Sequence, residues 1–360
     1  MEYKNIREIR IDPIVPSLSV LISTARGKRP RKHEQPPARD VREHVDNCPF
    51  CPGNEHLTPP AAYQVPETEK WSIRIVENLY PVLDDDPLPA ELPSGLQRAI
   101  EGYGHHEVII DHPNHGVALH EMSEEHLALL FSVYRERMSF LYTTDPRIMY
   151  VLVFKNFGKA AGGSMPHTHS QLIAMPIVPH NVQNEVECSR HYYQHTGTCI
   201  FCSLIDEAMT FETIRYVRGS GKICQSYAAG KYVVERGNHF AAIKPFASRY
   251  EWEVHILPIE HHGDFLQITA EELDDLARVL KRTMRRLVAV AGEVQYNYFL
   301  HTVPHRINSS DDAHSFHWHL ELCPRTSIPS GFELGSGLFV NTIAPEEAAF
   351  KLRQVVIDDL

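Results

Sequence analysis

The residues best suited to chemistry lie in one stretch, Gly162-Gly163-Ser164-Met165-Pro166-His167-Thr168-His169-Ser170-Gln171. An apolar, β-prone run, Tyr150 to Phe154, precedes it, and another, Leu172 to Met175, follows. Glycines and a serine suit a turn whose backbone N–H groups can approach a phosphate closely. If His167 to Gln171 is extended, side chains two apart share a face, so His167, His169 and Gln171 point together. Three polar groups on one face of an apolar strand need partners. A metal, a phosphate or both would supply them, and a hydrogen-bonded buried histidine pair is the plainer alternative.

Two Cys-x-x-Cys pairs, Cys48/Cys51 and Cys199/Cys202, account for four of seven cysteines. In a long chain that starts without an apolar leader, this spacing favours metal or redox chemistry over a disulfide framework. The 23 histidines favour metal. Landmarks of different chemistry recur at nearly one spacing. From Cys48 to Cys199 is 151 residues, from His115 to His261 146, from Ser123 to Thr269 146, and from His167 to His317 150. The chain therefore reads as two copies of one strand-rich unit with a helix. Two ligand sets follow: Cys48, Cys51, His115 and His167, then Cys199, Cys202, His261 and His317. Each has four ligands and no open position, as a structural zinc site requires. In the second set His262 and His239 compete with His261, and His301 competes with His317. A redox pair is the alternative for either Cys-x-x-Cys.

With His167 on a metal, His169 is held close to a rigid point and is not consumed by coordination. A neutral imidazole with one nitrogen free is a nucleophile at physiological pH, provided a carbonyl holds the other N–H. Gln171 can donate its amide to a phosphoryl oxygen as charge develops there. The second copy has Asp311-Asp312-Ala313 opposite the glycines and Glu321 opposite Gln171. Carboxylates repel a phosphate, so the second copy keeps the fold and metal without the reaction.

The elements that must position these groups are legible in outline. Residues 8–24 read as short strands leading into the cationic run Arg26 to Lys32, either a solvated loop or an anion-binding one. Residues 71–83 and 106–111 read as strands. Ser123 caps a helix with Leu127, Leu130, Phe131 and Tyr134 on its apolar side, and Thr269 to Glu272 is a capping box opening a second, with Leu273, Leu276, Leu280, Met284 and Leu287. Pro176 to Pro179 and the polar run to Thr198 mark the boundary between halves. The expected fold class is α+β, two tandem units at 1–180 and 181–360, each an antiparallel sheet with helices. With 360 residues, 43% hydrophobic and 22% charged, the composition is that of an ordinary globular protein, and a net charge of -11 argues against a nucleic-acid binder. No run reaches membrane-spanning length, so a cytoplasmic protein is expected.

These residues resemble the galactose-1-phosphate uridylyltransferase family, a branch of the histidine triad superfamily, over nearly the whole chain and in order. The resemblance implies a ping-pong reaction in which His169 attacks the α-phosphorus of a nucleotide sugar, expels a sugar 1-phosphate, and passes the nucleotide to a second sugar phosphate. It also implies phosphate contacts from Arg26 and Arg29, nucleotide contacts from Asn78, Asn156, Gly162, Ser164 and Gln171, and a homodimer. Three features depart from the pattern. Thr168 and Ser170 replace a proline and a glycine of His-Pro-His-Gly-Gln. The bacterial members' second metal, iron, would have Glu185, His301, His317 and His319 as counterparts, whereas Cys199 and Cys202 favour zinc, as in the plant ADP-glucose phosphorylase branch. Ser336 and Gly337 stand where a Tyr-Glu pair grips the hexose. The expected activity is uridylyl transfer between a nucleotide sugar and a hexose 1-phosphate. The rivals are adenylyl transfer to inorganic phosphate, hydrolysis of the intermediate, and a non-catalytic zinc module.

Overall fold

The computed structural model describes residues 6–28, 38–68, 70–90, 95–210, 213–216, 223–227, 229–306 and 310–357. In chain order the first part holds β1 (Arg7–Ile11), β2 (Ser19–Ser23), β3 (Ala61–Val65), β4 (Ile73–Glu77), β5 (His105–Ile110), α1 (Glu124–Thr144), β6 (Tyr150–Phe157) and β7 (His169–Met175). Next come α2 (His180–Thr196), α3 (Ile200–Thr210), β8 (Thr213–Tyr216), β9 (Ile223–Tyr227), β10 (Val233–Arg236), β11 (Phe240–Ile243), β12 (Val254–Pro258) and α4 (Ala270–Ala291). The last elements are β13 (Tyr296–His301), α5 (Ser310–Ser315), β14 (His319–Pro324), α6 (Gly331–Ser336), β15 (Phe339–Asn341) and α7 (Pro345–Arg353).

Ten strands form one antiparallel sheet in the order β3-β4-β5-β7-β6-β13-β14-β12-β11-β10. Read inward from either edge, the connectivity is the same. Strands β3, β4, β5, then α1, then β6 and β7 on one side match β10, β11, β12, then α4, then β13 and β14 on the other. The halves join where β6 pairs with β13, Phe157 opposite Tyr296 and Phe154 opposite Phe299.

Alternation along the strands decides which face meets the helices. In β7, Leu172 and Ala174 are fully buried in the cluster that holds Leu127, Phe131, Tyr134 and Met138 of α1. The same cluster takes in Leu273, Leu276, Leu280, Met284 and Leu287 of α4, spaced three and four apart on one helix face. Burying each such side chain contributes roughly 1.5–3 kcal/mol. Ser123 caps α1 by accepting from His126 N, and Thr269 and Glu272 form the capping box of α4. The other face of β7 therefore carries His169 and Gln171, away from α1 and α4.

The polar run after Pro179, read as a boundary, is a 17-residue helix, α2. Val182, Val186 and Ser189 recur at helical spacing and are buried, enough to seat an otherwise hydrophilic helix, and Gly197 ends it in the left-handed region at φ 74°. Near the termini, β15 pairs in parallel with β2, and buried Arg10 bonds Glu346 of α7 at 2.9 Å. No helix among the described residues is long and apolar enough to cross a membrane.

Candidate active site and metal centres

Cys48, Cys51, His115 and His167 converge, their ligand atoms all within 4.8 Å of one another and all four residues buried. The turn after Val45 aims the first sulfurs, with Asn54 Nδ2 bonding the carbonyls of Asp46 and Cys48 at 2.9 Å. Cys51 Sγ lies 3.5 Å from His115 Nδ1 and 3.6 Å from His167 Nδ1, and Cys48 Sγ lies 3.6 Å from the latter. A tetrahedral zinc with ordinary Zn–S and Zn–N bonds separates such atoms by roughly 3.6 Å. His167 Nε2 donates to the His112 carbonyl at 2.8 Å, which fixes the tautomer with Nδ1 bare. Burial holds the His167 imidazole down at about 4 and pushes the Cys48 thiol up to about 11. Those two groups are thus held neutral by burial, and a divalent cation would draw the Cys48 thiolate out.

The second set repeats this geometry. Cys202 Sγ stands 3.4 Å from His261 Nδ1 and 3.5 Å from His317 Nδ1, with Cys199 completing the cluster. His261 Nε2 faces the Ala313 carbonyl and His317 Nε2 that of Pro258, each at 3.0 Å. The thiol of Cys199 and then the two imidazoles draw Cys202 strongly down toward thiolate. Both sets fit zinc by donor type, number and spacing. The four counterparts of the bacterial iron ligands do not meet as one set. His317 joins the cysteines, while Glu185, His301 and His319 gather with Glu321 instead.

His169 begins β7 directly after the first metal set. Its Nδ1 donates to the His167 carbonyl at 2.8 Å, and the ring is 6% exposed. Nε2 has no hydrogen-bond partner among the described residues. Burial lowers the imidazole's pKa, so the ring is neutral and Nε2 carries the lone pair. Gln171 lies two residues on. Val82 N donates to His106 Nδ1 at 3.2 Å, which makes His106 Nε2 the donor to Gln171 Oε1 at 2.9 Å. With its oxygen thus engaged, Gln171 keeps its amide N–H groups for a ligand. Asn78 Nδ2 lies 3.1 Å from the same His106 nitrogen. Asn156 Oδ1 accepts from Asn297 Nδ2 of β13 at 2.7 Å, and Asn297 also holds the Ala161 carbonyl at 2.8 Å, so the second half steadies the glycine turn of the first. Gly162 sits at φ 83°, and a Cβ on Gly163 would come within 2.7 Å of the Asn156 carbonyl oxygen, so both positions require glycine.

The structure brings His169, Gln171, Asn78, Asn156 and Gly162 to the same face and turn. Ser164 is exposed on that turn. Arg26 is exposed in a short turn after β2, and no hydrogen bond or ion pair among the described residues joins it to β7. Arg29 lies outside the described residues.

Beneath His169 is a buried network not read from the sequence. Lys155 Nζ bonds Asp111 Oδ2 at 2.5 Å, Thr168 Oγ1 at 2.8 Å and the His169 carbonyl at 2.9 Å. Ser170 Oγ donates to Asp111 at 2.9 Å, and Tyr134 and Tyr298 close the network from α1 and β13. Its one legible signal is Lys155 itself, a charge at the buried alternate position of β6 after Val151 and Val153. Asp111→Ala strands the Lys155 ammonium in the core and is expected to cost about 3–5 kcal/mol. Adding Lys155→Met should recover part of that loss, since removing both charges is gentler than removing one. Urea unfolding midpoints of the two single variants and the double variant check both statements.

The second half shows what has changed there. His319 Nδ1 donates to the His317 carbonyl at 3.0 Å, as His169 Nδ1 does to that of His167 three strands away in the first half. Around it, however, Glu321 Oε1 lies 3.6 Å and Glu185 Oε2 3.9 Å from His319 Nε2, and Arg249 pairs with both Glu253 and Glu321. The position equivalent to Gln171 is a carboxylate already neutralised from within.

Comparison with known proteins agrees with this geometry. The family described as "Galactose-1-phosphate uridyl transferase, N-terminal domain" matches residues 1–179. An ADP-glucose phosphorylase of Arabidopsis thaliana is 30% identical over 97% of this chain and 93% of its own length. A galactose-1-phosphate uridylyltransferase of Thermotoga maritima is 27% identical over 98% of this chain and 99% of its own. The crystal structure of an Arabidopsis thaliana ADP-glucose phosphorylase with bound ADP-glucose superposes with a TM-score of 0.81 at 29% identity, covering 98% of this chain and all of the other. With a family match over residues 1–179 and relatives that align over nearly their whole length, the chain belongs to the galactose-1-phosphate uridylyltransferase family.

Proposed function

We propose that this chain moves a nucleotidyl group between a nucleotide sugar and a phosphate-bearing acceptor through a covalent intermediate on His169. The observation that carries the reading is the divided imidazole: Nδ1 is engaged by the His167 carbonyl and Nε2 is left uncommitted. The Nε2 lone pair attacks the α-phosphorus, the bond from that phosphorus to the bridging oxygen breaks, and sugar 1-phosphate leaves with the electron pair. An acceptor oxygen then attacks the same phosphorus and breaks the P–N bond, returning the imidazole. Gln171 donates to the phosphoryl oxygen on which charge builds, and Asn78, Asn156, Gly162, Ser164, Arg26 and Arg29 bind nucleotide and phosphates. Zinc in both cysteine–histidine sets fixes the ends of the strands that carry His169 and His319. The chain is read as two tandem histidine-triad-like units, 1–180 and 181–360, of which the first is catalytic, working as a homodimer.

Two substrate pairs are consistent with this chemistry. Family precedent supports UMP transfer between UDP-hexose and hexose 1-phosphate. The Arabidopsis relative, the second cysteine pair, and Ser336 and Gly337 support AMP transfer from ADP-glucose to inorganic phosphate. The protein is to be mixed with α-phosphate-labelled UDP-glucose and ADP-glucose, then offered galactose 1-phosphate or inorganic phosphate. Acid-labile label on the protein, discharged by one acceptor, is the expected result and identifies the pair. No label from either donor ends the proposal.

A further inference from the structure

On the opposite side of the sheet from His169, a cleft of about 750 Å³ opens between the first turn of α1, the middle of α4 and the turn joining β10 to β11. Arg278, Lys281, Arg282 and Arg285 line it from one stripe of α4, and Arg236 faces them from the turn. In a chain of net charge -11, five cations lining one cleft need a reason. Four carboxylates share the lining, and they are spent partly on the backbone and on Arg286 outside it and partly on its own Arg278 and Arg282. Asp275 accepts from the backbone N–H groups of His239 and Phe240, at 2.8 and 3.1 Å, and from Arg278 at 3.4 Å. Glu235 is taken by Arg282 at 3.3 Å and by Arg286 from behind at 2.7 Å. Glu124 meets Arg278 at only 3.5 Å, with that arginine side chain still 48% exposed, and Glu125 is fully exposed. On the cationic side, Arg236 and Lys281 make no hydrogen bond or ion pair among the described residues, and Arg285 makes one long bond, 3.5 Å to the His120 carbonyl. All three line the concave space, Lys281 near the exposed Glu125.

The turn that carries Arg236 is rigid. A Cβ on Gly237 would fall 2.3 Å from the Asp275 carboxylate, so glycine lets Asp275 clamp the turn against α4. Seven residues of helix separate Arg278 from Arg285, about 10 Å, more than one phosphate can span. We infer that this cleft is a second anion site, shaped for a small molecule carrying two separated phosphate groups and distinct from the nucleotide site on the other face of the sheet. Guanidinium forks and an ammonium suit phosphate oxygens, and a concave, half-open cleft of this size suits a small molecule better than a flat partner surface. The inference does not rest on the reading of His169.

The test titrates fructose 1,6-bisphosphate, with inorganic phosphate as the short comparator, into the full chain by calorimetry. Four proteins are compared: wild type, Arg236→Ser/Lys281→Ser/Arg285→Ser, His169→Ala, and Lys351→Ser as a surface-charge control outside the cleft lining. Bisphosphate is expected to bind wild type, His169→Ala and Lys351→Ser alike, and about tenfold or more weakly to the triple variant, whose three lost contacts are each modest in water. Inorganic phosphate should bind the cleft far more weakly, and nucleotide labelling of the triple variant should match wild type. Equal binding by the triple variant, or equal weakening by Lys351→Ser, overturns the inference. Lost binding in His169→Ala assigns the bisphosphate to the nucleotide site and overturns it too.

Discussion

His169→Ala is expected to lower nucleotide transfer by at least about 10⁴-fold, the scale on which deleting an enzyme's covalent nucleophile acts, and to leave fold and metal content as they were. The reason lies in what the side chain touches. Its one hydrogen bond among the described residues runs to the carbonyl of His167, two residues away, so no distant described residue depends on it. Metal ligation falls to His167, whose Nδ1 and Nε2 are both engaged without it. Removing the ring leaves a small space beside Phe50, whose ring centroid is 5.4 Å away, and that costs little beside the chemistry. The measurement is acid-labile label on the protein together with turnover, with circular dichroism and elemental analysis as controls. His169→Gln should be as inactive as alanine, because an amide can hydrogen-bond but cannot form the P–N bond. Residual labelling in either variant would move the nucleophile elsewhere, and His106, which is bonded to Gln171, would be the next to replace.

Much of this was legible because the site is built from local sequence. His167, His169 and Gln171 are separated by single residues, and the cysteine pairs by two, so strand alternation and turn geometry bring them together without knowledge of the fold. The repeat spacing then predicts that Cys48 and His167 meet, and the sheet order explains how: β5 pairs with β7, placing Ile110 opposite His169 and the segment after β5, with His115, beside the metal. Hidden from the sequence were contacts whose partners lie far apart with no spacing rule. Lys155 and Asp111 are 44 residues apart and Tyr134 and Tyr298 164 apart, and each looks ordinary until the sheet closes. The polar segment after Pro179 concealed a helix because three buried positions were enough to seat it. His106 was missed for a different reason. It was read only as part of a strand, and its role depends on a tautomer fixed by a backbone N–H from Val82.

Cys51→Ser is expected to release one metal ion per chain, lower stability by several kcal/mol and abolish labelling of His169. Cys51 Sγ lies within 3.6 Å of both imidazoles of the first set, and serine neither ionises at neutral pH nor matches a thiolate's affinity for zinc. A structural zinc in an isolated finger is worth on the order of 10 kcal/mol or more. The large shared core here makes the loss smaller, because α1, α4 and the sheet do not need the metal to pack. The functional loss is the more informative part. Without the ion, His167 keeps its bond to the His112 carbonyl and a weak contact with the Cys48 thiol, and the carbonyl that orients His169 loses its fixed point. Cys202→Ser separates this effect from general destabilisation. It should also release one ion per chain and lower stability, yet His169 should still take label, since the second set lies against β14 and not β7. Elemental analysis, urea midpoints and labelling on the two variants read all three quantities. Equal loss of labelling from both would mean that the ions act only through stability, and retained metal in Cys51→Ser would remove the first set as a metal centre.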